Sequence, residues 1–157
     1  MMASIEADEV RPFEKRDVQE LLDLMRGLAE FEGYADEFRI TEQDIVERGL
    51  CATPDFSAYV VPRSGTTKLL GMAVTYRIGW TYFGRPNVVL KELFVRESAR
   101  GLGVGKKLMD VVMKEARRNG AKKLLWTVLP YNRRAKSFYS ALGATPDTKW
   151  ENWEVLL

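Results

Sequence analysis

The chain has 157 residues, with 24 Lys and Arg against 22 Asp and Glu, one cysteine and no histidine. The lack of histidine excludes Ser-His-Asp triads, HExxH zinc sites and histidine general bases, and a net charge of +2 does not predict binding to nucleic acid. Cys51 cannot form an intrachain disulfide and no apolar run is long enough to span a membrane, so we expect a cytoplasmic protein without metal, membrane or nucleic-acid partners.

The N-terminal part of the chain predicts a tail, a strand and a helix. Residues 1–9 are acidic and lack the apolar core of a signal peptide, so we expect a flexible tail before a single domain that spans residues 10–157. Val10 to Phe13 is predicted to form a first strand. Apolar residues then recur from Val18 to Ala29 with the period of an amphipathic helix, which Gly33 is expected to end.

The middle of the chain predicts a second helix and three strands. Thr41, with Asp44 three residues later, has the pattern of a capping box and predicts a helix that runs to about Leu50. β-Branched and aromatic residues separated by turn-forming Pro and Gly residues then predict the three strands Ser57–Val61, Lys68–Tyr76 and Asn87–Val95.

The last third of the chain predicts alternating helices and strands. After a glycine-rich run we expect a helix to Arg118, a strand over Lys123–Leu129, a helix over Arg133–Leu142 and a last strand within Trp150–Leu157. This order is typical of an α/β domain with a mixed sheet and helices on both faces. The unit from residue 88 to 129 is expected to be a right-handed crossover between parallel strands.

The run from Arg100 to Gly105, Arg-Gly-Leu-Gly-Val-Gly, lies between a predicted strand and a predicted helix. A helix N-terminus has unpaired backbone N–H groups and a partial positive charge, and glycines let a diphosphate approach them closely. The run matches neither a Walker loop nor the dinucleotide fingerprint. Taken alone, it fits an ordinary turn before a helix as well as it fits a phosphate site.

Two segments resemble those of one family. The run Arg100–Gly105 is similar to the Arg/Gln-x-x-Gly-x-Gly/Ala acetyl-CoA motif of the Gcn5-related N-acetyltransferase superfamily, and Asn132–Ala144 resembles its Asn-x-x-(small)-x-x-Phe-Tyr-x-x-x-Gly segment. The resemblance implies a mostly antiparallel mixed sheet with a splayed central parallel pair. Leu28–Glu32 and Ile40–Ile45 resemble the diamine (spermidine/spermine and thialysine-type) branch, whose central strand usually carries two successive acids, but Lys91 replaces the first of them here.

The resemblance implies that acetyl-CoA is the co-substrate. It implies backbone contacts to the pantetheine arm from Leu93 and Val95, diphosphate contacts from the loop, and Tyr139 as the acid that protonates the leaving thiolate. The residues that it assigns to the co-substrate are Leu93, Phe94, Val95, Arg100, Gly101, Leu102, Gly103, Val104, Gly105, Lys106, Asn132, Ser137 and Tyr139.

Acid–base chemistry points to Glu92 and Tyr139. A primary alkylamine has a pKa near ~10.4 and must lose a proton before it attacks, and Glu92 is the candidate base, directly or through water. A structural pairing of Glu92 with Lys91, Arg100 or a backbone N–H fits the sequence equally well. A tyrosine, with a pKa near ~10, suits proton donation to a thiolate whose pKa is near ~8.5. A position in the core is the alternative for Tyr139.

Acceptor binding is predicted at Glu32, in an acidic segment that would attract a cationic amine, and at Trp80, in an aromatic segment that also suits core or dimer packing. We expect acetyl transfer to a primary amine of a small molecule, such as a polyamine, a diamine or an amino-acid-like amine. Acetylation of a protein lysine or N-terminus, and CoA binding without catalysis, remain alternatives. The resembling branch forms two-fold dimers and the chain ends in apolar residues, so a homodimer is expected.

Overall fold

The computed structural model describes residues 4–157, and the first three residues of the expected tail lie outside the described residues. Within the rest of that tail, Ala7 forms an isolated antiparallel bridge with Arg63, and Asp8 donates its N–H to the Pro62 carbonyl. Backbone hydrogen bonds therefore attach residues 6–8 to a neighbouring turn, which the sequence did not predict. No helix in the described part of the chain is long and apolar enough to cross a membrane.

Five strands and four α-helices make up the regular structure of residues 4–157. In chain order they are β1 (Arg11–Pro12), α1 (Val18–Glu32), α2 (Glu42–Gly49), β2 (Ser57–Pro62), β3 (Leu69–Ile78), β4 (Asn87–Val95), α3 (Val104–Arg118), β5 (Leu124–Leu125) and α4 (Arg133–Ala141).

Two predicted strands differ from the structure. The strand expected over Lys123–Leu129 is reduced to β5, because only two of its residues pair with a neighbour. The strand expected within Trp150–Leu157 is wrong, because no residue of that segment has strand structure and its apolar side chains are exposed. Alternating apolar residues predict a strand only where a partner strand accepts their backbone hydrogen bonds.

The strands form one sheet in the order β1-β2-β3-β4-β5. All neighbouring pairs are antiparallel except β4 and β5, which confirms the mixed, mostly antiparallel sheet. The parallel pairing joins only Val88 to Leu124 and Val89 to Leu125, so the ladder ends while β4 continues for six more residues to Val95. This short ladder is the splayed central pair that was expected.

Helices cover both faces of the sheet, as predicted. Met72 lies opposite Phe94 in the β3–β4 ladder, and Met72 belongs to the core that α1 and α2 form with this face. The preceding residue of β3 is Gly71, and a Cβ there would lie on the opposite face, within 3.0 Å of Val104 of α3. Because side chains alternate along a strand, α1 and α3 pack on opposite faces.

The two helices on the first face begin and end where their sequences predicted. Gly33 ends α1 with a φ of 84°, a conformation that glycine adopts without steric cost. Thr41 accepts a hydrogen bond from Asp44 N, and the Asp44 carboxylate accepts one from Thr41 N at 2.7 Å, so the capping box that opens α2 is confirmed.

The described residues divide into two compact units between Trp126 and Thr127. The first contains the whole sheet and α1 to α3, and the second contains α4 and the C-terminal segment. The single domain expected over residues 10–157 remains a prediction.

Candidate active site

A β-bulge in β4 decides which of two neighbouring charged residues faces α1. Val74 lies opposite Glu92 and Thr75 lies opposite Leu90, so Lys91 is an extra residue without a partner on β3. The bulge shifts the alternation of β4 by one residue. Glu92 therefore lies on the face that carries Val74 and packs against α1, whereas regular alternation would have placed Lys91 there.

The Glu92 carboxyl group is largely buried. Its Oε2 atom is buried and has no hydrogen-bond partner among residues 4–157. The pKa of Glu92 is raised to about 7, chiefly by burial. The nearby charge of Lys91 lowers this pKa and that of Glu32 raises it, each by less than burial does. No ion pair joins Glu92 to Lys91 or Arg100 in the described part of the chain, so the alternative of a structural ion pair is absent. A carboxyl group with a pKa near neutrality can accept and release a proton at physiological pH.

The end of α1 and the turn after it bring two more side chains, Glu32 and Tyr34, toward Glu92. The left-handed Gly33 reverses the chain, and Tyr34 N donates to Ala29 O at 2.9 Å, which fixes Tyr34 directly after the helix end. Burial, and then nearness to Glu92 and Glu32, raise the pKa of Tyr34 to about 12. The structure thus brings the predicted Glu32 and Glu92 into one electrostatic neighbourhood, and adds a half-buried Tyr34 that the sequence analysis missed because a tyrosine in a loop carries no pattern.

The glycine run forms an open cradle at the N-terminus of α3. Gly101 and Gly103 have φ values of 80° and 78°, and a Cβ at either position would meet no atom within 4 Å. Gly103 is the N-cap residue, and no side chain caps the helix. Backbone N–H groups of the first turn are therefore available to an anion, as a diphosphate requires. Val104 is buried against the sheet, so only its backbone can contact a ligand.

Arg100 is held between two aromatic rings. Its guanidinium carbon lies 5.7 Å from the centre of the Phe31 ring and 5.9 Å from that of Phe94, both within the range of cation–π attraction. Its Nε donates to Val95 O at 3.2 Å. Phe94 in turn contacts α1 at Gly27, where a Cβ would come within 3.0 Å of the ring. Through Arg100, the glycine run is therefore attached to the C-terminal half of α1.

The backbone groups of β4 after the bulge alternate between the side that faces β3 and the opposite side. Arg96 N donates to Leu70 O, so the groups of Phe94 point toward β3 and those of Leu93 and Val95 point to the opposite side. On that side Val95 O already accepts from Arg100. Leu93 and the Val95 N–H therefore remain as the candidate contacts.

Three other predicted ligand residues of the first unit are exposed, and one of them has an ion-pair partner. Lys106 Nζ forms an ion pair with Asp110 on the exposed face of α3 at 2.8 Å, and would have to leave it to bind a phosphate. Leu102 is 51% exposed beside the cradle. Trp80 lies in the loop between β3 and β4 and is 46% exposed, and no contact in the described part of the chain joins it to Glu92.

The second unit contains the remaining predicted residues around α4. Asn132 is the N-cap of α4, where its Oδ1 accepts from Ala135 N at 3.0 Å. Ser137 is exposed on the helix. Tyr139 is half-buried and packs edge-to-face on Phe138, with ring centres 5.2 Å apart. The motif that predicted a co-substrate contact at Asn132 thus also caps the helix.

An ion cluster around the buried Glu20 joins α1 to the residue that follows β4, and the sequence analysis missed it. Glu20 accepts from Lys68 Nζ at 2.8 Å, Arg96 Nη2 at 2.9 Å and Leu69 N at 3.0 Å. Burial alone would raise the pKa of Glu20, but the hydrogen bonds and the Arg96 charge outweigh it and lower the pKa. The cluster fixes Arg96, which leads from β4 toward the glycine run.

Comparisons with known proteins identify the family of the chain. The sequence profile of the acetyltransferase (GNAT) family matches residues 18–144. The thialysine N-epsilon-acetyltransferase of Bos taurus is 31% identical over 150 residues, which are 92% of this chain and 88% of that protein. The spermidine/spermine N(1)-acetyltransferase-like protein 1 of Homo sapiens is 22% identical over 157 residues, 97% of this chain but 22% of that protein.

The fold is similar to that of a solved structure. The crystal structure of an aminoglycoside acetyltransferase from an uncultured soil metagenomic sample superposes with a TM-score of 0.77 at 18% identity, over 96% of each chain. The chain therefore belongs to the acetyltransferase (GNAT) family, in the diamine acetyltransferase branch that its motifs predicted, and is an acyl-transferring enzyme.

Proposed function

We propose that the protein transfers the acetyl group of acetyl-CoA to a primary amine of a small molecule, with Glu92 as the base and Tyr139 as the acid. The observation that carries the proposal is the buried Glu92 carboxyl, which has no partner at Oε2 and a pKa of about 7, on the strand that leads into the glycine cradle. Relatives named for thialysine and for spermidine/spermine support a small amine as acceptor.

Acetyl-CoA supplies a thioester carbonyl that an uncharged amine can attack, and the products are an amide and the free thiol of CoA. The cradle from Arg100 to Lys106 binds the diphosphate, and Leu93 and Val95 orient the pantetheine arm. Glu92, directly or through water, accepts the proton that the ammonium group must lose. Tyr139 donates a proton to the departing sulfur and regains one from the nitrogen, which loses its second proton as the amide forms. From the ammonium form of the acceptor, the net reaction therefore releases one proton. Asn132 and Ser137 complete the contacts to the co-substrate.

Acetyl-CoA binding and amine turnover test this function. We expect calorimetry to detect acetyl-CoA binding, and CoA release to depend on an amine from a panel of polyamines, amino acids, arylalkylamines and peptides. Turnover of peptides alone would favour acetylation of protein lysines or N-termini. Binding without turnover of any amine would favour a CoA-binding module without catalysis.

Tyr139→Phe is expected to lower kcat about tenfold. The effect is smaller than that of a typical general acid, because a thiolate whose conjugate acid has a pKa near ~8.5 is already a good leaving group. Stopped-flow measurement of CoA release checks it, with the exposed Tyr82→Phe as the matched control. An unchanged kcat in Tyr139→Phe would mean that Tyr139 is not the only acid.

We also propose that the protein is a homodimer in the cytoplasm. The C-terminal residues Trp150, Trp153, Val155, Leu156 and Leu157 are each at least 73% exposed, and an apolar surface of this kind favours association. The single Cys51 suits a reducing compartment. Sedimentation is expected to give the mass of a dimer at micromolar concentration. A monomer at that concentration would contradict the proposed homodimer.

A further inference from the structure

We propose that Tyr34 is a positioning residue for the base: its hydroxyl donates a hydrogen bond to the ionised Glu92 carboxylate, directly or through one water, and so favours the charged form. The proposal deepens the proposed function and rests on it, because it adds a residue to the same site. A phenol hydroxyl suits a base that changes charge in each turnover, since it donates to the carboxylate and accepts from the protonated carboxyl.

The Glu92 carboxyl group needs a hydrogen-bond donor. Among the buried and half-buried residues of 4–157, its Oε2 atom is the only fully buried side-chain oxygen or nitrogen without a partner. Buried polar atoms in native proteins are nearly always hydrogen-bonded, either to the protein or to ordered water. An ionised carboxylate can only accept hydrogen bonds, so the partner that Oε2 lacks is a donor.

The packing of α1 on β4 carries the end of the helix toward the middle of the strand. The two elements run in opposite directions, because Glu20 binds Arg96, which follows β4, at 2.9 Å, and Gly27, about two turns later, is where a Cβ would come within 3.0 Å of the Phe94 ring. The chain that leaves α1 therefore lies beside the residues of β4 that precede Phe94, and these include Glu92.

Tyr34 is turned inward from an exposed segment. Every other member of residues 30–37 is exposed, whereas Tyr34 is half-buried. Its backbone is fixed on both sides, since Tyr34 N donates to Ala29 O at 2.9 Å and Tyr34 O accepts from Glu37 N at 3.0 Å. Burial and then the nearby Glu92 charge raise the pKa of Tyr34 to about 12, so its hydroxyl keeps its proton at neutral pH.

Three other charged or titratable groups of the first unit lie near Glu92. Lys91 is exposed and does not reach the buried Oε2 atom, and Glu32 of α1 is a second carboxylate that opposes the charged form. Tyr76 lies on the same face of β3, but Arg48 of α2 affects the pKa of its hydroxyl more than Glu92 does. For Tyr34, by contrast, Glu92 has the largest effect after burial.

Tyr34→Phe gives the direct test, because it removes the hydroxyl and keeps the ring. Loss of a donor to the charged form raises the pKa of Glu92, so the rising limb of kcat/KM should move upward by about one pH unit. With acetyl-CoA and the amine that turns over fastest, we expect kcat/KM to fall about tenfold at pH 6 and to approach that of the unaltered enzyme at pH 9. The KM for acetyl-CoA should stay the same.

Tyr59→Phe is the matched control, because Tyr59 is a half-buried tyrosine of β2 that lies near Glu115. Its pH profile should equal that of the unaltered protein, and Tyr76→Phe should move the limb less than Tyr34→Phe does. Carbon-13 NMR of the Glu92 carboxyl follows the same titration without turnover, with Glu92→Gln to identify the signal. Its midpoint should be about one pH unit higher in Tyr34→Phe.

Three results would overturn the role of Tyr34. They are an unchanged midpoint of the Glu92 signal in Tyr34→Phe, an equal loss of kcat/KM at pH 6 and pH 9, and a larger shift in Tyr76→Phe. Each of them leaves the proposed function standing. A lack of turnover with every amine would contradict the proposed function alone, because the titration of the carboxyl group does not depend on acetyl transfer.

Discussion

Replacing Glu92 with glutamine is expected to lower kcat at least a hundredfold, because glutamine cannot accept the proton that the acceptor ammonium must lose. A positioned general base contributes about a hundredfold to ten-thousandfold. The substitution keeps the shape of the side chain, so the KM for acetyl-CoA should stay the same. Glu9→Gln, at an exposed position of the N-terminal segment, serves as the control and should retain full activity.

Glu92→Gln should also change how activity depends on pH. The pKa of Glu92 is raised to about 7 by burial, and only the ionised carboxylate can act as a base, so activity of the unaltered enzyme should rise with pH through about 7. The variant should lack this rise. A variant with normal kcat, or with the same rise near pH 7, would place the base elsewhere.

Glu92→Gln is also expected to stabilise the protein at pH 8. A carboxyl group whose pKa is 4.5 when unfolded and about 7 when folded holds its proton longer in the folded state, so stability falls as pH rises between these values. The full difference between the two pKa values corresponds to about 3 kcal/mol of folding free energy. The protein loses this stability when Glu92 ionises, but a neutral glutamine loses none. Thermal unfolding should therefore give a higher Tm for the variant at pH 8 and a similar Tm at pH 4.5. A lower Tm at both pH values would mean that the buried carboxyl group is structural.

Gly103→Ala is expected to weaken acetyl-CoA binding about a hundredfold, or about 2.7 kcal/mol. The φ of 78° at this position is strained for any residue with a Cβ, and relief of that strain rotates the backbone N–H groups that face the diphosphate. Loss of hydrogen bonds to a charged group costs about 1.5–3 kcal/mol each. Calorimetry with acetyl-CoA measures the change in Kd.

A second glycine separates binding from strain. Gly65 has a φ of 69° in the turn between β2 and β3, and no atom would lie within 4 Å of a Cβ there. Gly65→Ala should therefore lose a similar amount of stability and keep the original Kd for acetyl-CoA. If both variants bind acetyl-CoA as tightly as the unaltered protein, the cradle does not hold the diphosphate.

The sequence predicted those parts of the fold that depend on local patterns. The stop at Gly33, the capping box of Thr41 and the strand Asn87–Val95 follow from residue type and spacing, and the structure confirms them. The last strand failed because strand formation depends on a partner elsewhere in the chain. Trp150–Leu157 has the composition of a strand but no ladder to join.

The candidate site was predictable in its residue types but not in its arrangement. Glu92 was identified from its place before the glycine run, yet the bulge that turns it toward α1 has no glycine or other marker in the sequence. Tyr34 approaches Glu92, and Phe31 approaches Arg100, only because the sheet and α1 pack together. Contacts between residues distant in sequence decide such positions, and periodicity does not report them.

The spacing between α1 and the sheet is fixed by Gly27, a residue that favours helix poorly. A Cβ there would come within 3.0 Å of the Phe94 ring, so alanine would require the ring or the helix to shift by a few tenths of an ångström. Phe31 lies one turn further along the same helix, and Phe31 and Phe94 both lie against the Arg100 guanidinium. The missing side chain at position 27 thus permits the close packing of α1 on the ring that also contacts Arg100 at the start of the glycine run.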